Sequence, residues 1–259
     1  MDVLVYVDPA PRGEWALTVA VQLSSGWAKS LHLLATSEDL AAETSLLARA
    51  RERLAPGPAV AESSRPGPAE QAVVAEASAR QYDLVVVPPA GRGAVVRMLK
   101  GSRVATVVRR VRAPVLVARR PPVRVERVLA ALSGRGSTEP VVDASLAWER
   151  HAGALAAFLH VRPEVALPRG PGGPSEPHAG LGELEAVRAA LRARGREGEL
   201  RDREGLVVEE VLDEYEAGAH HLLVIGARGE EGGFGREDVT ERLLLRCPGS
   251  TLIVGRGRG

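Results

Sequence analysis

The sequence contains two copies of one pattern, and this internal repeat limits the fold more than any other feature. Gly67 and Gly205 each open a similar helical segment. Gly91 and Gly229 each follow an apolar run, and their separation along the chain is identical to that of the first pair. We call this separation the longer offset. Two unrelated halves would share it only by chance, so the repeat indicates a duplicated unit.

The separation changes only where the chain has the composition of a loop. Leu34 and Leu159 are closer together, and the extra residues of the later copy fall at positions 169–180, which are rich in Pro and Gly. Val115 and Thr251 are related by a shorter offset, two positions less than the longer one. The second copy has thus lost residues beyond its glycine loop. One insertion and one short deletion, each in a loop, fit a duplication.

Short apolar strands alternate with helices in each copy. Strands alternating with helices favour a parallel sheet that is covered by helices on both faces. The periodicity of the first copy predicts strands at 3–7, 30–35, 60–63, 84–87 and 115–118, and helices at 15–23, 41–54, 68–80 and 104–111.

The pattern stops at Pro121-Pro122 and then starts again. The second copy is predicted to begin with a strand at 127–132, a helix at 141–156 and a strand at 157–161. We therefore predict an α/β protein with two tandem copies of a doubly wound, mostly parallel sheet. The predicted domains are residues 1–120 and 121–259.

A glycine-rich stretch follows the apolar run at residues 84–87. Gly91, Arg92 and Gly93 come first, and Gly101-Ser102 precede the next predicted helix. Glycines at this place let a bound group approach the backbone, and the free N–H groups of the helix start face an anion. The stretch is therefore a candidate phosphate site, although a flexible turn before a capped helix would use the same residue types.

This stretch resembles the motif of the universal stress protein family, which has G-x-x-G, nine residues, and then G-S or G-T. Gly91, Gly101 and Ser102 match the motif, whereas Pro88 stands in place of its first glycine. The resemblance covers both halves. It implies a five-stranded, mostly parallel sheet in each half, the adenine-nucleotide alpha-hydrolase-like fold, and binding of ATP, alone or with Mg²⁺.

The resemblance also implies roles for residues at the ends of the first two strands. Asp8 corresponds to the acid that contacts the adenosine moiety, and the backbone at Thr36 corresponds to the segment that reaches the adenine edge. A helix cap or a solvated turn acid remains the alternative for Asp8. Pro88 has no N–H group, and its ring would crowd the ribose.

The second half is predicted to be the poorer nucleotide site. It keeps Gly226 and Gly229 with the G-x-x-G spacing, but Ser133 replaces the acid of the first half. At the shorter offset, which is favoured, Glu237-Asp238 occupy the place of Gly101-Ser102 and would repel a phosphate. The longer offset would bring Val239-Thr240 there instead.

The final strand of each half is strongly apolar, as Val115–Ala118 and Thr251–Val254 show. An exposed apolar edge strand is a liability unless it is covered. The resemblance implies pairing through these strands, either between the two halves of one chain or between two chains in a homodimer.

Composition excludes several other classes of function. A net charge of +1 gives no case for nucleic acid or an anionic membrane, and no run of 18 apolar residues could span a bilayer. The single Cys247 excludes an internal disulfide and a thiolate metal cluster. The first residues, MDVLVYVD, are predicted to form a strand instead of a secretory signal. We expect a cytoplasmic protein.

No set of catalytic residues or metal ligands stands out. The histidines are scattered, and Lys100-Gly101-Ser102 have the residues of a P-loop in the wrong order. The sequence thus favours an adenine-nucleotide-binding stress-response module. Three alternatives remain open: a structural or partner-binding member without ligand, an adenylyl- or phosphate-transferring enzyme, and a flavoprotein subunit of similar fold.

Overall fold

The computed structural model describes residues 1–36, 40–54, 57–89, 103–134, 136–163, 181–227 and 239–255. The chain forms two compact units, each of which takes its last residues from the C-terminal part of the chain. The first unit contains Met1–Val125 and Pro248–Ile253, and the second contains Glu126–Cys247 and Val254–Gly259. The domain boundaries predicted above, 1–120 and 121–259, remain a prediction.

The first unit has a central sheet of five parallel strands in the order β3-β2-β1-β4-β5. Helices connect successive strands, as the alternating pattern predicts. The elements are β1 (Asp2–Tyr6), α1 (Gly13–Ser24), β2 (Ser30–Ala35), α2 (Leu40–Arg53), β3 (Ala59–Ser64), α3 (Ala69–Ala79), β4 (Leu84–Val87), α4 (Arg103–Arg110) and β5 (Val115–Val117).

Burial explains the sequence of each strand in this unit. The central strands β1 and β4 are buried almost throughout, so they consist of continuous apolar runs. β3 lies at the edge of the sheet, and its side chains are exposed or half-buried. It therefore carries Glu and Ser, which made it the weakest strand signal of the first copy.

The last strand of the chain, β10 (Ser250–Val254), completes the sheet of the first unit. It pairs antiparallel with β5, and Leu252 lies opposite Leu116. The Ser250 hydroxyl and the backbone of Arg119 are also hydrogen-bonded to each other. The contact predicted between the two apolar final strands is therefore present in this unit.

The second unit repeats the parallel arrangement, with strands in the order β9-β6-β7-β8. Trp148 and Phe158 are the largest side chains that are fully buried in its described part. Its elements are β6 (Arg127–Leu132), α5 (Thr138–Ala152), β7 (Leu155–Pro163), α6 (Leu181–Arg192), β8 (Leu200–Gly205), α7 (Val207–Ala217), β9 (Leu222–Gly226) and α8 (Val239–Arg246).

The predicted helix at 141–156 and strand at 157–161 are wrong at their common boundary. The helix α5 begins earlier and ends at Ala152, because Gly153 adopts a left-handed conformation with φ of 65°. The Gly153 N–H group donates to the Glu149 carbonyl and closes the last turn. The strand consequently starts at Leu155, inside the segment predicted as helical.

The segment after β5 is held to helix α1 by the side chain of Gln22. The amide of Gln22 donates to the Pro122 carbonyl at 2.6 Å and accepts from the Val125 N–H group at 3.2 Å. The segment at which the repeated pattern stops, around Pro121-Pro122, is therefore irregular but fixed within the first unit. Across the described residues, no helix has the length and hydrophobicity needed to cross a membrane.

Candidate functional site

Three parallel strands of the first unit end at the same edge of its sheet. β1 lies between β2 and β4, and the residues that follow these three ends are Asp8, Thr36 and Pro88. The chain adds β2 and β3 on one side of β1, and β4 and β5 on the other. The pair β1–β4 is thus a topological switch point, where open α/β sheets bind ligands outside the carboxyl ends of their strands.

Asp8 is half-buried and forms a local turn at this edge. Its Oδ1 atom accepts a hydrogen bond from the Ala10 N–H group at 2.8 Å. This contact is the turn arrangement that the sequence left open for Asp8. It also fixes the carboxylate beside the switch point, and an ionised carboxylate has further acceptor positions.

Thr36 lies next to Asp8 in the register of the sheet, since Tyr6 is level with Leu34 and both residues follow two positions later. The Thr36 side chain is hydrogen-bonded to the buried Tyr6 hydroxyl at 2.8 Å. The sequence did not reveal Tyr6 as part of this edge. Its position two residues before Asp8, on the same face of the strand, was the only signal available.

Gly13 is a second residue that sequence reasoning missed. A Cβ atom at this position would overlap the backbone carbonyl of Asp8 and lie 2.7 Å from its carbonyl carbon. Helix α1 therefore begins in direct contact with the loop that carries Asp8. Only a residue without a side chain allows this approach.

Pro88 and Pro89 are both buried at the end of β4. The preceding residue, Val87, accepts a hydrogen bond from the Ala118 N–H group, which joins this end of β4 to the chain after β5. The rest of the predicted phosphate loop lies outside the described residues, as does the second glycine of the other copy. These residues are Gly91, Arg92, Gly93, Gly101, Ser102 and Gly229.

The second unit has a corresponding switch point between β6 and β9. Ser133 follows β6 and is exposed, and Gly226 ends β9. A Cβ atom on Gly226 would overlap the Ser137 hydroxyl, and the Thr240 hydroxyl donates to the Gly226 carbonyl at 3.2 Å. Protein side chains thus occupy the space beside the glycine that the sequence offers as a ligand contact.

The helices that follow these loops agree with one of the two offsets between the copies. Helix α4 ends at Arg110 and helix α8 ends at Arg246, and this separation equals the shorter offset. The shorter offset aligns Glu237-Asp238 with Gly101-Ser102. Thr240, which the longer offset would align with Ser102, lies inside α8 and contacts Gly226.

Two histidines of the second unit are buried in its interior. His160 Nδ1 is hydrogen-bonded to the Leu132 carbonyl at 2.8 Å. Burial, with a contribution from the positive charge of Arg127, lowers the pKa of His220 to about 4, so this side chain is neutral at pH 7. Within the ranges that the structure describes, no group of three or more His, Cys, Asp or Glu residues could hold a metal ion.

The universal stress protein family model matches the chain twice, at residues 2–119 and 124–255. No curated protein matches it in sequence. In fold it is similar to a protein of Pseudomonas aeruginosa UCBPP-PA14 described as a universal stress protein, with 18% identity, a TM-score of 0.78, and coverage of 98% of this chain and 92% of the other.

Two further solved structures share the fold. A universal stress protein from Archaeoglobus fulgidus DSM 4304 has 14% identity and a TM-score of 0.75, with 99% of this chain and 96% of the other covered. The cytoplasmic domain of a prokaryotic cation chloride cotransporter has 11% identity and a TM-score of 0.61, with 100% and 96% covered. At such identities the likeness concerns the fold.

Proposed function

We propose that this chain, which belongs to the universal stress protein family, is a stress-response module that binds an adenine nucleotide in its first unit. ATP, alone or with Mg²⁺, is the proposed ligand. The observation that carries the proposal is the position of Asp8, Thr36 and Pro88 around the β1–β4 switch point. Because the ligand is an intracellular nucleotide, we also propose a cytoplasmic location.

The edge offers the chemistry that a nucleoside requires. Asp8 uses one carboxylate oxygen to accept from Ala10, and its remaining acceptor positions suit the hydroxyl groups of a ribose. The backbone at Thr36 follows the neighbouring strand and can present peptide groups to a base. The Tyr6–Thr36 hydrogen bond holds this end of β2 in place.

The phosphates are assigned to the glycine loop that follows β4. In the proposal, the backbone N–H groups of residues 91–93 and the Ser102 hydroxyl bind the phosphate oxygens. Successive backbone N–H groups form such anion sites without any base or metal chemistry. The proposed role of this site is therefore nucleotide binding, without a chemical reaction on the nucleotide.

The second unit supports binding less well for three reasons. Ser133 has no negative charge to attract hydroxyl donors, and Ser137 packs on Gly226. The shorter offset also brings Glu237-Asp238 to the phosphate anchor. Two like charges about 4 Å apart repel each other by roughly 4 kcal/mol at an effective dielectric constant near 20. One dominant site, in the first unit, is the expected result.

Calorimetric titration with ATP and Mg²⁺ tests this assignment. Asp8→Ala should weaken binding about tenfold or more, because a hydrogen bond to a charged group contributes roughly 1.5–3 kcal/mol. The matched control is Ser133→Ala, at the corresponding position of the second unit. We expect its affinity to equal that of the unchanged protein.

Weaker binding by Ser133→Ala, with unchanged binding by Asp8→Ala, would assign the site to the second unit. A protein that binds neither ATP nor any other adenine nucleotide would contradict the proposal and favour a structural or partner-binding role. Ligand released by denaturation of the purified protein separates the remaining alternatives by absorbance and mass. Flavin would indicate a flavoprotein subunit, and turnover of ATP above background would indicate an enzyme.

Pro88 provides a second prediction at the same site. Pro88→Gly removes the ring that crowds the ribose and restores the N–H group that proline lacks. Nucleotide affinity should increase by a factor of up to about ten, which equals about 1.4 kcal/mol. Pro89→Gly is the matched control, since that residue is also buried but stands at a position where the motif does not require glycine. Equal gains in the two variants would show that the effect comes from general loosening of the loop.

A further inference from the structure

A continuous chain of hydrogen bonds runs through the first unit, beneath helix α3 and apart from the candidate nucleotide site. His32 on β2 is 7% exposed, and its Nε2 atom lies 2.7 Å from the Ser63 hydroxyl on β3. Its Nδ1 atom lies 2.5 Å from the Tyr82 hydroxyl. Tyr82 in turn donates to Glu76 Oε1 at 3.0 Å, and Arg65 donates twice to Glu76 Oε2.

The direction of every hydrogen bond in this chain follows from the charge at one end. Burial opposes ionisation of Glu76, but the hydrogen bonds from Arg65 and Tyr82 outweigh it and lower the pKa of the carboxyl group. An ionised carboxylate only accepts, so Tyr82 must donate to it. The Tyr82 oxygen is then left to accept from Nδ1–H of His32.

This assignment determines the state of the other ring nitrogen. A neutral imidazole with its proton on Nδ1 has a lone pair on Nε2, so Nε2 accepts the proton of the Ser63 hydroxyl. Burial lowers the pKa of His32, although Glu76 opposes the shift, and the ring is a neutral base at pH 7. A hydroxyl beside a base that is oriented by a third group is the arrangement of an activated nucleophile.

The second unit shows which of these hydrogen-bonded residues the fold itself requires. At the longer offset, Glu76 and Arg65 correspond to Glu214 and Arg203, and these also form an ion pair. Arg201 stands at the position of Ser63. The Glu–Arg pair is therefore common to both units and anchors the helix on the edge strand.

The remaining members are particular to the first unit. His220 replaces Tyr82 at the longer offset, and Ala157 replaces His32 at the separation that relates Leu34 to Leu159. The second unit folds its corresponding helix and strands with Arg201, Ala157 and His220 in place of the serine, the histidine and the tyrosine. Docking of the helix thus does not account for the Ser63–His32–Tyr82 part of the chain.

We propose that Ser63 is an activated nucleophile with His32 as its general base, and that it accepts acyl or phosphonyl groups from small activated esters. Ser63 is half-buried on the edge strand β3, so it is within reach of solvent. Its Oγ atom attacks the carbonyl carbon, and its proton passes to Nε2 of His32. The ester C–O bond breaks, and the leaving alcohol takes that proton from His32. Water then attacks the acyl carbon and gives a proton to His32. The bond from that carbon to Oγ breaks, Oγ takes the proton, and the acid is released. Tyr82 and Glu76 are positioning residues for His32.

Labelling of the intact protein with a fluorophosphonate probe tests the proposal. Oγ of Ser63 forms a bond to phosphorus, fluoride leaves, and His32 takes the hydroxyl proton. Mass mapping should find the label on Ser63 of the unchanged protein and none on Ser63→Ala. Ser64→Ala is the matched control, because Ser64 is the adjacent, exposed residue of the same strand, and its labelling should equal that of the unchanged protein.

Two variants test the base and its positioning. His32→Gln should slow labelling at least about tenfold, and Tyr82→Phe should slow it less while changing its pH profile. In the unchanged protein the rate should rise with pH through an inflection below the usual histidine value of about 6.5. The charged or titratable groups that face His32 are Glu76, Arg65, Arg80 and Tyr82.

Three results would overturn the proposal. Labelling of Ser64 to the same extent as Ser63 would show a merely exposed serine. A rate in folded His32→Gln equal to that of the unchanged protein would remove the base. If that variant fails to fold, a pH profile of the unchanged protein without an inflection below the usual histidine value decides against the proposal in its place. Nucleotide titration reports separately on the function proposed above.

Discussion

Gly13→Ala is expected to destabilise the first unit by about 3 kcal/mol and to abolish nucleotide binding there. The added methyl group would overlap the carbonyl group of Asp8, which belongs to the backbone and cannot rotate away. Either the start of α1 or the loop that carries Asp8 must shift. The same change therefore lowers both stability and affinity.

A matched control exists in the second unit. Gly182 is the second residue of α6, which has the same length as α1. Apart from its chain neighbours and the backbone of its own helix, no atom of the described residues lies within 4 Å of a Cβ added there. Gly182→Ala should stabilise the protein by about 0.5–1 kcal/mol, the usual gain from replacing glycine in a helix. Thermal unfolding measures both variants, and titration with ATP measures the site.

A small effect of Gly13→Ala on stability, similar to that of Gly182→Ala, would contradict the close contact between α1 and Asp8. Loss of stability with unchanged nucleotide affinity would confirm the contact between α1 and Asp8. It would also show that Asp8 does not belong to the binding site. The two measurements thus separate the packing from the proposed function.

Leu116→Arg is expected to have the other large effect, a loss of about 4 kcal/mol or more in the free energy of unfolding. Leu116 is 1% exposed in β5 and lies opposite Leu252 of β10. An arginine there would bury a charge among the apolar side chains that cover the sheet. Val123→Arg is the control, because that side chain is 89% exposed and its replacement should change stability by less than about 0.5 kcal/mol.

The pairing of β5 with β10 is tested by combining two substitutions. Leu252→Arg alone should cost about as much as Leu116→Arg, since Leu252 is also buried. The cost of the double variant should differ clearly from the total of the two, because residues in contact do not act independently. Strict additivity in chemical unfolding would show that the two strands do not face each other.

The sequence alone was enough to predict the architecture of each unit. Apolar runs separated by amphipathic segments predict alternating strands and helices, and the separation shared by the two glycine pairs predicts the duplication. Asp8 could also be located at the edge of the sheet, because the end of a strand is a local feature. These predictions depend on patterns that repeat within short stretches of the chain.

Tertiary structure decided the features that depend on contacts between distant parts of the chain. Three contacts depend on how the elements are placed in space: the approach of Gly13 to Asp8, the packing of Ser137 on Gly226, and the hydrogen bond from Ser63 to His32. The end of α5 also could not be predicted from periodicity. Residues 153–156 continue the helical pattern of apolar residues, but the helix ends before them because Gly153 takes a left-handed conformation.

The physical reason lies in the range of the interactions. Hydrophobic periodicity reports which face of an element is buried, and it is written into every few residues. Close contacts and hydrogen-bond directions are fixed only when elements pack at van der Waals distance, where a single methyl group or proton changes the outcome. The sequence therefore determined the sheet and its edge, and packing determined which side chains meet there.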